Sequence, residues 1–378
     1  MDTTDLLRKL VEFPSYEPEG MRRCAEFLSN ELRQMGFDVS VDKLNNVFGT
    51  KEFAGGEGAF LLTTHFDTVA PSQNWTKDPL HVSIEGERLY GLGTSDNKGG
   101  IAVILRALRD LNQCRFKKLE ILFSNYEDSR VVIDGRTCAG VQYFLAANRL
   151  ETKSGICVDC TVQGDRFLIE LGCGGRVRFT VNTIGRQTHT ANPSWRTLGH
   201  SAIYDMTKVI DALRMMPTTK MTVDGNDSYA GINVGLIEGG TAINVVPGDC
   251  KIVCERRVLP NEDWENVKKQ VEVSLGGVRD TKLKVDYFEP ERPYLLDRAD
   301  PIVTVAVSAV QKTLGYTPRF RVAAGRTDSA LLDQMAGVKT VIIGPGDSFA
   351  EHTADEYVSA KRIEEFGKII SHVIAENP

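Results

Sequence analysis

Five segments of this chain end an apolar run on a residue that can hold a metal ion or move a proton. The first is Leu61-Leu62-Thr63-Thr64-His65-Phe66-Asp67-Thr68-Val69. In extended chain His65 and Asp67 point to one side, which suits His65 as a ligand and Asp67 as the acceptor that fixes its ring. The second is the glycine-rich turn Gly91-Leu92-Gly93-Thr94-Ser95-Asp96-Asn97-Lys98-Gly99-Gly100, which carries Asp96. It lacks the G-K-[ST] ending and the glycine spacing of nucleotide-binding loops, so a ligand or a helix N-cap are the readings for Asp96. The third, Ile121-Leu122-Phe123-Ser124-Asn125-Tyr126-Glu127-Asp128, sets two carboxylates side by side. Adjacent residues cannot both face one direction, so Glu127 and Asp128 suit two jobs, or a solvated turn. The fourth is Ile156-Cys157-Val158-Asp159, and the fifth runs from Gly344-Pro345-Gly346-Asp347 to Glu351-His352-Thr353-Ala354-Asp355-Glu356-Tyr357.

Each segment alone also fits a structural role. Their combination points to chemistry, because the chain has only six histidines and two of them fall in strand-end loops beside carboxylates. A pair of divalent ions asks for a histidine and a terminal carboxylate each, plus one bridging carboxylate. His65, His352, Asp96, Asp128 and Asp159 supply that set, and Glu127 remains to take a proton from a water between the ions.

The elements that must position these residues follow from periodicity. Apolar residues at helix spacing predict a helix over Met21 to Met35, and others over Gly99–Leu111 and Gly140–Asn148. Between them Ala59–Thr64, Leu119–Ser124 and Gly155–Asp159 read as strands buried on both faces. Such alternation predicts an α/β fold with a doubly wound, mostly parallel sheet, whose strand ends carry the ligands. From Gly175 the pattern changes to one-sided alternation, as in Val177, Phe179 and Val181, with a helix over His200–Met215. The α/β pattern resumes near Asp300. The expected division is therefore a catalytic domain of residues 1–174 and 290–378, with an inserted α+β domain of residues 175–289.

Composition excludes several functions. A formal charge of −6 argues against nucleic-acid or anionic-membrane partners. No apolar run approaches the ~20 residues of a membrane helix, and the first residues show an amphipathic pattern rather than a signal peptide. The eight cysteines are scattered, with Cys157 and Cys160 as the one C-x-x-C, so free thiols in a cytoplasmic protein are expected. In that compartment the Asn74-Trp75-Thr76 sequon is silent.

In order and wording these segments resemble the acetylornithine deacetylase, succinyl-diaminopimelate desuccinylase and carboxypeptidase G group of metallopeptidases. Gly185-Arg186-Gln187-Thr188-His189-Thr190-Ala191-Asn192-Pro193 extends the likeness, as do Ile232-Asn233-Val234-Gly235, Asn244-Val245-Val246-Pro247, Glu255-Arg256-Arg257-Val258-Leu259-Pro260 and Gly325-Arg326-Thr327-Asp328. The resemblance covers nearly the whole chain. It implies two ions, zinc first and cobalt or manganese as alternatives. His65, Asp96 and Asp159 would hold one, and Asp96, Asp128 and His352 the other. It also implies a cis peptide between Asp96 and Asn97, Glu127 as general base and Asp67 as the orienter of His65. The inserted domain would be a dimerisation lid, through which His189, helped by Asn244, reaches the partner subunit of a homodimer and stabilises an oxyanion. Arg257 would pair with a substrate carboxylate, and Thr327 would also contact substrate.

The chain departs from the group's pattern at four places. Asp128 stands where Glu is usual, the turn Ser129–Arg136 is longer, Asp159 matches the di- and tripeptidase branch rather than the many deacylases with Glu, and Arg326 replaces the second glycine of G-G-T-D. The implied activity is hydrolysis of an N-acyl amino acid through a water that Glu127 activates. A di- or tripeptidase is the alternative within the group, and a metal-binding scaffold without catalysis the alternative outside it.

Overall fold

The computed structural model describes residues 1–129, 131–133 and 136–375. The chain divides into two compact units, one of residues 1–172, 296–321 and 327–378, the other of residues 173–295 and 322–326.

The first unit is built on a mixed sheet. Its central strands Lys118–Ser124, Ala59–His65, Ser154–Cys157 and Lys339–Ile342 lie side by side and parallel. Strands nearer the edges run antiparallel: Val47–Glu52 with Asp38–Val41 on one side, Arg166–Cys173 with Val162–Gln163 on the other. The expected parallel sheet is thus its middle. Ala59–His65 and Lys118–Ser124 are buried from their second residue onward, as their mostly apolar composition suits, with Glu120 held inside by the Glu151 and Thr152 N–H groups. Helix Lys98–Asp110 buries Ile101, Val103, Ile104 and Leu105 among other residues, and it packs against helices Thr3–Val11 and Ala360–Ile374. All four parallel strands end on one side, and the loops that follow them carry His65 and Asp67, Glu127 and Asp128, Asp159, and His352. Asp96 instead lies in the turn between Arg88–Tyr90, a strand of a separate three-stranded sheet, and helix Lys98–Asp110.

The second unit is a four-stranded antiparallel sheet in the order Ile232–Gly239, Asp249–Val258, Gly175–Ile184, Lys282–Tyr287. Alternation along the central strands turns Val177, Phe179, Val181, Ile252 and Cys254 toward one core. Helices Ala202–Arg214 and Trp264–Gly276 complete it with Met206, Val209, Val267 and Val271. Ile232–Gly239 forms an edge of this sheet and exposes Leu236 and Ile237. Among the described residues no helix is long and apolar enough to cross a membrane.

Candidate metal centre

Three loops of the first unit meet at Asp96. The strand Ala59–His65 delivers a buried His65 at its last residue. Its Nδ1 lies 3.1 Å from the Asp67 carbonyl oxygen and 3.5 Å from the Asp67 carboxylate. The carbonyl is the hydrogen-bond partner, because 3.5 Å is too long for a good N–H···O bond. A proton on Nδ1 leaves Nε2 as the atom turned to the centre, 3.0 Å from Asp96 Oδ1. The freed Asp67 carboxylate has another task. Oδ1 accepts the Glu127 N–H at 3.0 Å, and Oδ2 accepts the Ser129 N–H at 3.1 Å and its hydroxyl at 3.0 Å. Asp67 thus anchors the main chain that presents Glu127 and Asp128.

Asp96 sits in the glycine-rich turn before helix Lys98–Asp110, and the Asp96–Asn97 peptide is cis. Its second oxygen, Oδ2, lies 3.2 Å from His352 Nε2, and the same nitrogen is 3.2 Å from Asp128 Oδ1. One carboxylate therefore stands between two imidazoles, with an oxygen toward each. Asp159 lies two residues past strand Ser154–Cys157; its Oδ1 accepts the Cys160 N–H at 2.7 Å and the Asn97 side-chain N–H at 3.2 Å. The Asn97 amide nitrogen is also 2.8 Å from His65 Nε2, so Asn97 sits between His65 and Asp159.

The charges are strongly coupled. Burial opposes ionisation of Asp96, yet His65 and His352 hold its carboxyl well below the usual range. Burial and the Asp96 charge push Asp128 up to about 7. Asp159 is also raised well above a normal carboxyl, by burial, then by Asp96, with Glu127 contributing. His352 is raised to about 11 by its hydrogen bonds to Asp128 and Asp96. For His65 burial acts against the charged ring, and the Asp96 carboxylate more than reverses it.

These residues fit a cation. His65, Asp96 and Asp128 each offer one atom within 4.8 Å of the others. Asp96 Oδ1 lies off the line of a hydrogen bond from His65, and neither it nor Asp128 Oδ2, both buried, accepts one. Two orphaned carboxylate oxygens beside imidazole nitrogens are what a divalent ion satisfies.

Two contributors escaped the sequence reading. Glu356, four residues after His352, is buried and accepts the N–H groups of Gly93 at 2.8 Å, Ser95 at 2.8 Å and Asp96 at 2.9 Å. Burial is the main cause that raises its pKa to about 7. Backbone donors leave no side-chain signature, so no motif announced this contact. Cys160 is the other: with Asp96 and Glu351 it forms a second set of atoms within 4.8 Å. Burial raises its thiol well above normal, and the S–H donates to the Ser95 carbonyl.

The remaining expected residues are placed as follows. Thr327 is buried and caps helix Asp328–Ala336 through the Ser329 N–H. In the second unit His189 and Asn244 face each other at 3.2 Å, and His189 Nδ1 accepts the Ala191 N–H at 3.0 Å. That bond puts the neutral ring's proton on Nε2, so the Asn244 carbonyl is the better partner there. Arg257 is half-exposed and pairs with Glu255 at 2.9 Å. Arg326, in the place of the second glycine of G-G-T-D, is buried: its side chain is 4% exposed and its Nε lies 3.1 Å from Glu291. Of the Ser129–Arg136 turn, Arg130, Asp134 and Gly135 lie outside the described residues.

Residues 61–376 match the model of peptidase family M20/M25/M40. Acetylornithine deacetylase of Pectobacterium carotovorum subsp. carotovorum (strain PC1) is 27% identical, covering 98% of this chain and 96% of its own. That of Edwardsiella ictaluri (strain 93-146) is 27% identical over 94% and 92%. Among solved structures, the metallo-carboxypeptidase Sso-CP2 of Sulfolobus solfataricus superposes with a TM-score of 0.80 at 18% identity, covering 99% and 98% of the two chains. Aminopeptidase PepT of Bacillus cereus gives 0.72 at 20% identity, over 98% and 96%. With the family model spanning most of the sequence, and histidines and carboxylates gathered where a cation fits, the chain belongs to peptidase family M20/M25/M40 and is a metal-dependent hydrolase of amide bonds.

Proposed function

We propose that the chain is a dinuclear zinc enzyme that removes the acyl group from an N-acyl amino acid. The observation that carries this reading is the Asp96 carboxylate set between His65 and His352, one oxygen toward each. Such a group suits a bridge, with Asp159 completing the His65 side and Asp128 the His352 side. Bound ions would supply Lewis acidity toward the scissile carbonyl and toward water. Glu127, its backbone pinned by Asp67, takes the proton of the attacking water and passes it to the leaving amine. His189, braced by Asn244, stabilises the oxyanion in a partner subunit's site, Arg257 pairs with the substrate carboxylate and Thr327 borders the substrate.

The acetylornithine deacetylases at 27% identity over nearly the whole chain support a deacylase. Asp159 favours the second reading, a di- or tripeptidase. The inserted unit is proposed as the dimerisation lid, and its edge strand with exposed Leu236 and Ile237 supports that role. All eight cysteines are free thiols, which suits work in the cytoplasm. The test is a panel of N-acetyl and N-succinyl amino acids beside di- and tripeptides, run with metal analysis of the same sample. Two bound ions with preferred cleavage of the acyl amino acids is the expected result. Faster peptide cleavage would transfer the assignment to the second reading, and two ions with nothing cleaved would leave a scaffold.

A further inference from the structure

Two buried charges of the first unit border the Asp159 loop without belonging to the proposed ligand set. Glu170 sits in strand Arg166–Cys173, and Arg321 in strand Arg319–Ala323, which pairs with it. The Arg321 and Glu170 side chains are only 12% and 3% exposed. Arg321 Nε and Nη2 both approach one Glu170 oxygen, Oε1, at 2.6 and 2.5 Å. Nη2 also donates to the Cys160 carbonyl oxygen at 3.1 Å.

An ion pair kept only for its own strength would be arranged otherwise. A guanidinium fork binds a carboxylate best through two parallel N–H···O bonds to two oxygens. Here the two nitrogens converge on a single oxygen, and that tilt leaves Nη2 able to reach the carbonyl. Taking both charges out of water costs several kcal/mol per ion, so a buried pair is often no more stabilising than apolar side chains of similar volume. Glu170 accounts for how the guanidinium is held. Cys160 accounts for what it is held against.

Cys160 directly follows Asp159 and is fixed at three atoms. Its N–H donates to Asp159 Oδ1 at 2.7 Å, its S–H to the Ser95 carbonyl at 3.4 Å, and its carbonyl accepts from Arg321. Oδ1 takes the Asn97 side-chain N–H as well, at 3.2 Å, whereas Asp159 Oδ2 accepts no hydrogen bond among the described residues. The aim of this carboxylate therefore depends on the Cys160 main chain. Of the two outside anchors on Cys160, the thiol is a weak donor and the Arg321 bond is charge-assisted, about twice as strong as a neutral one.

We infer that Arg321 is a positioning residue for the metal centre: held by Glu170, it fixes Cys160 and so aims Asp159 at the ion shared with His65. The inference rests on the reading above, in which Asp159 completes the His65 side. A loop already ordered loses little freedom when an ion arrives, whereas a released one must be ordered at each binding event, which weakens affinity.

The experiment titrates the full-length, metal-stripped protein with zinc against chromogenic chelators and reads the stepwise constants. Wild type should show two. Lysine keeps the charge but lacks the fork that serves Glu170 and the carbonyl together, so Arg321→Lys should weaken one constant about 10–100-fold and leave the other in place. The deciding step is a double-mutant cycle with Asp159→Ala, its weakened site read with a lower-affinity chelator. Because Arg321 acts through Asp159, Arg321→Lys should change nothing further in that background. Should Arg321→Lys not fold, Glu170→Gln, of the same shape but without the counter-charge, enters the same cycle. Unaltered constants in the single variant, or an equal loss with Asp159 present and absent, overturn the inference. A wild type that takes up a single ion fails the dinuclear reading instead, and the cycle is then read on that ion; no ion at all overturns both.

Discussion

At the scale of single residues, the centre is a contest between protons and a cation. Both His65 and His352 hold their protons more firmly in the fold than an unfolded chain would. For a group with a raised folded pKa, the stability it lends the metal-free protein is complete below the unfolded value of about 6.5. It disappears as pH climbs through the folded value, about 11 for His352. Metal uptake must run the other way, since an ion takes the imidazole nitrogens only after their protons leave. Calorimetry at pH 7 in buffers of different ionisation enthalpy should therefore report release of about three protons per protein on zinc binding, two from the histidines and the rest from Asp159 and Asp128. Affinity should rise between pH 6 and 8; a flat profile would contradict the ligand assignment. Glu127 behaves differently because it acts on water. Glu127→Gln should keep its metal while kcat drops by ~10²–10⁴, the usual range for a proton-transferring side chain. Near-normal turnover in that variant would remove Glu127 from the mechanism.

At the scale of elements, the centre depends on loops that are distant in sequence and stitched by carboxylates. Glu356 precedes strand Tyr357–Ser359, which pairs with Arg88–Tyr90, and its side chain binds three amides of the turn bearing Asp96. The His352 loop and the Asp96 turn are thereby fixed to each other. Glu356→Gln keeps the shape but sets an amide NH₂ against an N–H donor. Zinc affinity, measured by competition with a chelator, should weaken about 10–100-fold, as for other residues that orient ligands. Unchanged affinity would make Glu356 a purely structural residue. The sequence disclosed these elements unevenly. Ala59–His65 and Lys118–Ser124 were legible because a strand buried on both faces is mostly apolar, although Glu120 is buried inside the second one on the Glu151 and Thr152 N–H groups. The strand expected through Asp159 stops at Cys157, since Asp159 turns to cap the Cys160 N–H. Strand Arg88–Tyr90 pairs with Ser83–Glu85 on one side and Tyr357–Ser359 on the other, and three residues hold too little periodicity to announce such a sheet. The ligand types were readable from strand ends, whereas Asn97 and Glu356 act through contacts that no spacing encodes.

At the scale of the whole molecule, ion binding and folding are linked. A ligand held only by the folded state stabilises it by about 2.7 kcal/mol at a hundred times its Kd. For the first unit this corresponds to a melting temperature about 5–10 °C lower after chelation, measured by calorimetry with zinc added back as control. The second unit contributes none of the proposed ligands, so a shift of similar size in both units would argue that metal acts elsewhere too. The edge strand Ile232–Gly239 has its own consequence. Its outer backbone groups and the side chains of Leu236 and Ile237 form a template that accepts any extended segment, whether from a second copy or from a misfolded chain. If the proposed dimer forms through this edge, Leu236→Lys should yield a soluble species of half the wild-type mass by light scattering. A milder Leu236→Ala would loosen self-association without adding charge, and should instead produce slow, concentration-dependent clumping on storage, visible by light scattering.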